Sequence, residues 1–336
     1  MAELVRIPDD VEAPLLGCIC FGIIDRGTNV LQVRPTTICP LSCIFCSVDS
    51  GPKSRSRQAE FVVSPDYLLE AFREAVKVKG EHGIEAHIDT VGDPLTHPKI
   101  VDIVQGLAST PGVEVVSMQT HGALLTERLA EELADAGLSR VNLSIDALDV
   151  ELARRLADTP SYDVRRVAEV AEFIARSTRM DVLIAPVWVP GVNDQEIVKI
   201  IEFAVRIGAG KRWPPLGIQK MEVHRRGRRP RGVKEMTWYR FYSELRELER
   251  RMGVKLVLTP QDFGIHKRPR IPQAFKRFER VKVRVIGPGW LKGEKLGEAR
   301  GRAVTLVDAD HIRVGSTVSA TIIEVKDGLY IARAAI

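Results

Sequence analysis

The chain has 336 residues, of which 45% are hydrophobic and 28% charged, and its formal net charge is +5. This length and composition allow a large core and predict two domains. Five cysteines, three of them clustered, exclude the disulfide framework of a small secreted protein and predict a cytoplasmic protein in a reducing compartment. The first residues are acidic and no apolar run is long enough to cross a bilayer, so we expect neither a signal peptide nor a membrane partner. Sparse asparagine beside abundant arginine and glutamate favours a thermophilic source.

Short apolar runs rich in β-branched residues alternate with amphipathic segments along most of the chain, which is typical of repeated βα units and a parallel sheet. The pattern predicts strands at residues 29–34, 85–90, 113–118, 140–145, 180–189 and 216–223, with a further strand at 254–258. It predicts helices at residues 65–79, 99–108, 127–136, 164–176, 194–207 and 237–252, the first of them with Ser64 as its N-cap. Six βα units are too few for a closed eight-stranded barrel.

The last part of the chain has a different pattern, because alternating apolar residues and turns predict strands only. The expected strands are 280–286, 301–307, 318–325 and 329–334, which favours a small closed β-barrel. We therefore divide the chain into an N-terminal extension (1–28), an α/β domain (29–265), a basic linker (266–276) and a β-barrel domain (277–336).

Three cysteines follow the first predicted strand of the α/β domain. Cys39, Cys43 and Cys46 have C-x3-C-x2-C spacing, and no cysteine occurs after them. Since a [4Fe-4S] cluster is usually held by four thiolates, three would leave one iron open for chemistry. The alternatives are a zinc site completed by a histidine, or three buried thiols without a ligand.

This spacing, with Phe45 before the last cysteine, resembles the radical S-adenosylmethionine (SAM) superfamily. The resemblance implies a partial (β/α)6 barrel of the TIM type, with a [4Fe-4S] cluster on the three cysteines and SAM at the open iron. It also implies that the reduced cluster cleaves SAM to methionine and a 5′-deoxyadenosyl radical, and that Phe45 lies beside the cofactors. An electron donor is then a required partner.

The active site of a parallel α/β barrel lies at the C-terminal ends of its strands. The sequence Val91-Gly92-Asp93-Pro94 follows the second predicted strand and resembles the Gly-Gly-Glu-Pro element that meets the SAM amino group in this superfamily. The chain departs from that element, because Val91 replaces a glycine and Asp93 is shorter than glutamate. Taken alone, Gly-Asp-Pro is an ordinary turn.

Polar residues also follow the third and fourth predicted strands. His121 stands where similar enzymes carry a Thr-Asn-Gly turn. The resemblance implies that His121 contacts the SAM carboxylate or the substrate. The equally weighted alternative is a turn histidine with a structural role only. Ser144 and Asp146 share one side of a strand. The resemblance implies that they bind the ribose or methionyl part of SAM, whereas the alternative makes Asp146 a helix cap.

Two basic clusters point to a polyanion. Residues 224–234 include five arginines and no acid, and a second cluster occupies the linker; the residues are Arg225, Arg226, Arg228, Arg229, Arg231, Lys267, Arg268 and Arg270. Arginine at this density is typical of phosphate binding, although a solvated loop or an acidic protein partner are alternatives.

The terminal barrel resembles a TRAM domain, an RNA-binding module of several tRNA-modifying enzymes, in its strand lengths and in the glycine before Ser316. A protein-docking or bracing role is the alternative. The sequence therefore predicts a radical SAM enzyme that modifies RNA, with tRNA as the expected substrate. The alternatives are a radical SAM enzyme acting on a peptide or protein, and a zinc-bearing RNA-binding protein without catalysis. Cys18 and Cys20 are interpreted as structural, with a thiol carrier or hydrogen-atom donor as the other hypothesis.

Overall fold

The computed structural model describes residues 2–335 and divides the chain into two compact units. Unit 1 contains the residues up to Ile38, Ser54–Val115 and the residues from Lys267 onward. Unit 2 contains Cys39–Lys53 and Val116–His266. Among the described residues, no helix combines the length and the apolar character needed to span a membrane. The domain boundaries expected from the sequence remain a prediction.

The part of the chain before residue 267 alternates strands and helices. Its strands are β1 (Glu3–Ile7), β2 (Gly22–Asp25), β3 (Val30–Arg34), β4 (Ala59–Val63), β5 (Ile84–Ile88), β6 (Val113–Thr120), β7 (Arg140–Leu143), β8 (Asp181–Ile184), β9 (Val187–Trp188) and β10 (Gln219–Lys220). Its helices are α1 (Pro65–Lys79), α2 (Ile100–Ala108), α3 (Glu127–Asp135), α4 (Val150–Ala157), α5 (Val164–Ser177), α6 (Asp194–Ile207) and α7 (Trp238–Met252).

Six of these strands form one sheet in the order β2-β3-β5-β6-β7-β8. Strand β2 is antiparallel to β3, whereas β3–β5, β6–β7 and β7–β8 pair in parallel. All four residues of β8 are buried, as expected for a strand with both faces covered. The predicted α/β architecture with a six-stranded central sheet is therefore confirmed, but one of the six strands is β2, an antiparallel edge strand that the sequence pattern did not reveal.

Three predicted strands differ from the structure. The strand expected at 180–189 is divided into β8 and β9, which belong to different sheets. The strand expected at 216–223 is reduced to β10, which pairs with β9, and to an isolated parallel bridge between Leu216 and Ile184 of β8. The strand expected at 254–258 does not form, because the N–H groups of Leu256 and Val257 donate to the Glu249 carboxylate at 2.7 and 2.9 Å. A side chain of α7 thus binds the amides that a ladder would need. Helix α4, which the sequence analysis missed, begins at Asp149, whose carboxylate accepts the Leu152 N–H.

The C-terminal residues of unit 1 form a closed five-stranded barrel. Its strands are β11 (Arg280–Pro288), β12 (Lys295–Ala299), β13 (Arg302–Val307), β14 (Thr317–Lys326) and β15 (Leu329–Ala334), in the order β11-β12-β13-β15-β14. The predicted small barrel is confirmed, but β12 was missed. It contains Gly297, a residue disfavoured in strands. A Cβ there would lie 2.3 Å from a methyl group of Val283, so barrel packing requires the glycine.

A buried ion pair joins three segments of unit 1. Lys79 at the end of α1 donates to the Asp25 carboxylate at 2.7 Å and to the Pro269 carbonyl at 2.7 Å. The lysine side chain is 0% exposed and the aspartate side chain 6%. The other Asp25 oxygen accepts the Ile271 N–H at 2.7 Å. The pair therefore fixes the start of the basic linker to β2 and α1.

We expect Lys79→Met to destabilise the protein by about 3 kcal/mol, because it leaves the Asp25 carboxylate buried without a counter-charge. Chemical denaturation followed by circular dichroism would measure this. Lys77→Met is the matched control, since Lys77 pairs with Glu74 on the exposed face of the same helix and such pairs contribute little. Equal effects of the two substitutions would contradict the role assigned to the buried pair.

Candidate active site

The three motif cysteines lie in an irregular loop of unit 2. Cys39 and Cys43 are buried and Cys46 is half-buried. The Cys46 N–H donates to the Cys43 carbonyl at 3.1 Å, and the Cys46 sulfur accepts the Ser50 N–H at 3.2 Å. Main-chain hydrogen bonds to sulfur are one of the means by which proteins tune iron–sulfur clusters. The loop thus presents three thiols, one of them already held by an amide.

The electrostatics of Cys43 fit a cluster ligand. Burial raises the pKa of its thiol well above the ordinary value, and the negative charges of Asp146, Cys39 and Cys46 raise it further. Bound cationic iron offsets this cost, because a coordinating thiol is deprotonated. Among the described residues, no group of three or more histidine, cysteine, aspartate or glutamate side chains is arranged to hold a single metal ion. A four-iron cluster does not require that, since each cysteine binds a different iron.

Polar residues from two strand ends flank the cysteine loop within unit 2. His121 follows β6, and its Nε2 lies 3.6 Å from the Cys43 sulfur. Asp146 follows β7 and accepts the Val187 N–H at 2.7 Å. Burial raises the pKa of Asp146 to about 6, although His121 and the Val187 amide act in the opposite direction. The structure brings Cys43, His121 and Asp146 into one electrostatic group.

Two alternatives for these strand-end residues can now be assessed. Asp146 does not cap the next helix, because Asp149 occupies the N-cap of α4. The Ser144 hydroxyl is buried and accepts a hydrogen bond from the Gln119 side-chain amide at 2.7 Å. Phe45 is also buried. Contacts of Phe45, Ser144 and Asp146 with SAM remain a prediction.

The Val91–Pro94 turn lies in unit 1, packed on the main chain that leads to Cys39. A Cβ on Gly92 would lie 2.2 Å from the Ile38 carbonyl oxygen and 2.3 Å from that of Thr37, so only glycine fits. Asp93 is buried, and one of its carboxylate oxygens accepts the Leu95 N–H at 3.0 Å. Contact between the Asp93 carboxylate and the SAM amino group remains a prediction. The turn is therefore structured by the backbone just before the cysteine loop.

Arg57, which no motif indicated, holds this part of unit 1 together. Its guanidinium is 1% exposed and pairs with Glu60 at 2.9 Å. It donates to the Thr37 carbonyl at 2.6 Å and to the Val91 carbonyl. The ring of Trp290, between β11 and β12, lies 4.8 Å from the guanidinium carbon. One side chain thus links the approach to the cysteine loop, the Val91–Pro94 turn and the terminal barrel.

We expect Arg57→Lys to weaken SAM binding about tenfold, because the single ammonium nitrogen of lysine cannot replace the two guanidinium nitrogens that donate to the Thr37 and Val91 carbonyl groups. Equilibrium dialysis of the reconstituted protein with labelled SAM would measure the affinity. Arg55→Lys makes the same substitution at an exposed arginine two residues away and should leave the affinity unchanged. Wild-type affinity in Arg57→Lys would show that the turn does not depend on this guanidinium.

A second buried arginine serves the cysteine loop of unit 2 in the same way. Arg228 donates from its main chain to the Cys46 carbonyl at 2.8 Å and from its side chain to the Cys43 carbonyl at 3.1 Å. The guanidinium also donates to the Ser50 carbonyl and pairs with Asp49 at 2.8 Å. Only 17% of the side chain is exposed. Arg228 therefore stabilises the loop and is not available to phosphate as the sequence analysis expected.

The residue before Arg228 is a glycine for the same reason. A Cβ on Gly227 would lie 2.7 Å from the Ser47 carbonyl oxygen and 2.9 Å from that of Cys46. The segment thus rests on the main chain of the cysteine loop.

We expect Arg228→Gln to release cluster iron to a chelator about ten times faster than wild type, because the loop loses charge-assisted hydrogen bonds to its carbonyl groups. Iron release followed by absorbance would measure this. Arg229→Gln alters the next residue, which is exposed, and should release iron at the wild-type rate. Equal rates in the two variants would contradict a specific role for Arg228.

The other basic residues differ in their exposure and in the contacts that they make. The exposed residues are Arg225, Arg226, Arg229, Arg231, Lys267 and Arg270. Arg268 is half-buried, and its guanidinium contacts His82 Nε2 at 2.8 Å and the His82 carbonyl at 3.0 Å. Arg270, although exposed, donates to the Arg26 carbonyl at 3.3 Å and lies 3.9 Å from Asp327. Arg268 and Arg270 of the linker cluster therefore make contacts within unit 1.

The fold and the cysteine site together define a class of protein, a partial α/β barrel with a three-cysteine loop after an N-terminal strand. The chain belongs to the radical SAM superfamily, whose sequence profile matches residues 33–204. It is accordingly an enzyme that uses a [4Fe-4S] cluster and SAM and needs a reductant. This membership overturns the alternative of a zinc-bearing protein without catalysis.

Individual relatives cover different parts of the chain. An uncharacterized protein of Methanocaldococcus jannaschii is 39% identical over 95% of this chain and 78% of its own. The GTP 3′,8-cyclase of Alkaliphilus metalliredigens is 29% identical over 51% of each chain, so only about half of that enzyme is matched. Among solved structures, the FeFe-hydrogenase maturase HydG of Carboxydothermus hydrogenoformans has a TM-score of 0.51 at 16% identity, covering 67% of this chain and 51% of that one. This likeness supports the fold.

Proposed function

We propose that this radical SAM enzyme modifies RNA, with tRNA as the expected substrate. In this proposal Cys39, Cys43 and Cys46 hold the cluster, which together with SAM supplies radical chemistry when both are bound. The Val91–Pro94 turn, His121, Ser144 and Asp146 are the proposed SAM contacts. The peptide alternative differs in the partner that the exposed basic surface binds.

One observation carries the proposal, namely the attachment of the arginine-rich segment 224–234 to the cysteine loop. Arg228 and Gly227 pin this segment to the loop's main chain. The other arginines of the segment are exposed: Arg225, Arg226, Arg229 and Arg231. A set of exposed guanidinium groups attached to the cluster loop is suited to phosphate groups of a substrate. The segment would therefore hold a polyanion next to the site of chemistry.

Aromatic side chains at the start of α7 add a second feature of RNA-binding surfaces. Trp238, Tyr239 and Tyr242 are 50%, 84% and 36% exposed. The rings of Trp238 and Tyr242 are stacked with centroids 5.7 Å apart, and the Lys220 ammonium lies 4.9 Å from the Trp238 ring. Exposed rings beside cations can stack on unpaired bases. Phe241, by contrast, is buried in the core and does not belong to this surface.

We expect bulk tRNA to stimulate 5′-deoxyadenosine formation by the reconstituted, reduced enzyme, and Cys43→Ala to abolish it. Replacing the four exposed arginines with glutamine should reduce the ratio of the rates with and without tRNA towards one, because the phosphate contacts are lost. The control replaces four exposed arginines elsewhere in unit 2 with glutamine, namely Arg165, Arg246, Arg250 and Arg251.

The control variant should retain the wild-type stimulation if position, rather than total charge, matters. Equal loss of tRNA stimulation in both variants would show that net charge alone determines the effect. That result would contradict the proposed surface. SAM cleavage that responds to a peptide fraction but not to tRNA would favour the peptide alternative. If tRNA does stimulate the reaction, mass spectrometry of nucleosides from treated tRNA would identify the modified base.

A further inference from the structure

The outward face of barrel strand β11 is a row of cations. Along this strand Val281, Val283 and Val285 are buried in the barrel core. The residues between them, Arg280, Lys282 and Arg284, are exposed. Alternate residues of a strand lie about 7 Å apart. The strand therefore presents three positive charges at regular intervals along one line.

Hydroxyl groups accompany these cations on the neighbouring strand. The register of β11 with β14 pairs Arg280 with Thr321, Lys282 with Ser319 and Arg284 with Thr317. Among the described residues, Arg284 is the cation of this row with a carboxylate within salt-bridge distance, since Glu298 lies 3.7 Å away. Cations flanked by hydroxyl donors form a surface that can bind successive phosphates of a polynucleotide backbone.

An exposed aromatic ring stands at the end of this row, just before β11. Phe278 is 68% exposed although it is a large apolar residue. Its φ of +69° lies in the left-handed region, which is unfavourable for a bulky side chain. A hydrogen bond from the Phe278 N–H to the Ile322 carbonyl, at 2.7 Å, holds this conformation. The barrel thus maintains a strained backbone that presents the ring to solvent.

The neighbours of Phe278 complete the arrangement. The Arg277 guanidinium lies 4.7 Å from the ring centroid, and its Nε donates to the Ile323 carbonyl at 3.0 Å. Glu279 is the one acid in this stretch, and its carboxylate pairs with Arg300 at 2.7 Å. The acid is therefore compensated by its own partner. Ring and cations together resemble the combination of stacking platform and phosphate-binding groove found in proteins that bind single strands.

We propose that Phe278 and the β11 face, defined as Arg280, Lys282 and Arg284, bind an unpaired stretch of RNA. A base stacks on Phe278 while the phosphates that follow lie along the β11 face. A duplex is disfavoured because its bases are not free to stack on a side chain. The inference rests on the proposed function for its choice of RNA, and it adds a contact surface in the terminal barrel. Backbone strain such as that at residue 278 is expected where a residue contacts a ligand.

The test measures binding of a fluorescent RNA single strand of roughly 12 nucleotides to the full-length protein by anisotropy, over a range of salt concentrations. We expect Phe278→Leu to weaken binding about tenfold through loss of stacking. Arg280→Gln with Lys282→Gln should lower the salt slope by about 1.4, since each lost phosphate contact removes about 0.7. A self-complementary duplex of the same length should bind more weakly than the single strand.

Two further variants keep the result interpretable. Lys292→Gln with Arg313→Gln removes the same charge from exposed positions elsewhere in the barrel, and should bind RNA as the wild type does. Phe278→Asn removes the ring but tolerates the left-handed backbone, so binding should fall while the Tm is unchanged or raised. A Tm lowered by Phe278→Asn would show that the ring serves packing and would overturn the assignment. Equal losses in the two charge variants, or equal binding of duplex and single strand, would also overturn it.

The test separates this inference from the proposed function, because anisotropy requires neither SAM cleavage nor reductant. If tRNA fails to stimulate 5′-deoxyadenosine formation but the Phe278 and β11 variants lose RNA binding, the proposed function fails and the inference stands. If tRNA stimulates the reaction but these variants bind RNA normally, only the inference fails.

Discussion

The cysteine loop and its approach depend on buried arginine side chains that bind main-chain carbonyl groups. Neither segment is part of a helix or a ladder there, so its carbonyl oxygens need other partners. In unit 1, Arg57 supplies them at Thr37 and Val91. In unit 2, Arg228 supplies them at Cys43 and Ser50. Guanidinium suits this task because it is planar, always charged and carries five donors.

The terminal barrel contacts the residues that support the Val91–Pro94 turn. The Gln58 N–H donates to the Trp290 carbonyl at 3.0 Å, and the Lys292 N–H donates to the Ser56 carbonyl at 2.8 Å. The ring of Trp290 covers Arg57. At the other side of the barrel, the Ala303 N–H donates to the Leu16 carbonyl at 2.8 Å. Because these bonds join the barrel to segments far away in sequence, it is an integral part of unit 1 rather than a separable appendage.

Local patterns predicted the elements that local interactions determine. Helix α7 forms where the sequence predicted a helix, and Thr237 is its N-cap, with a hydroxyl that accepts the Arg240 N–H. Alternation along β11 likewise revealed the buried valines. The role of Arg228 was not readable, because its partner Cys43 is 185 residues away. Strand β12 was hidden since Gly297 is required by a contact with Val283 that only the closed barrel creates.

The number of arginines in a sequence segment does not distinguish those that stabilise the fold from those that bind a ligand. Arg228 and Arg268 are engaged by main-chain carbonyl groups, whereas Arg229 and Arg231 are exposed. The same distinction applies to aromatic residues, because Phe275 packs against Tyr330 in the barrel core and Phe278, three residues later, is exposed on a left-handed backbone. Burial offsets the conformational cost of a core residue, but it cannot do so for Phe278. In our proposal, RNA binding is the reason for a phenylalanine at this exposed position.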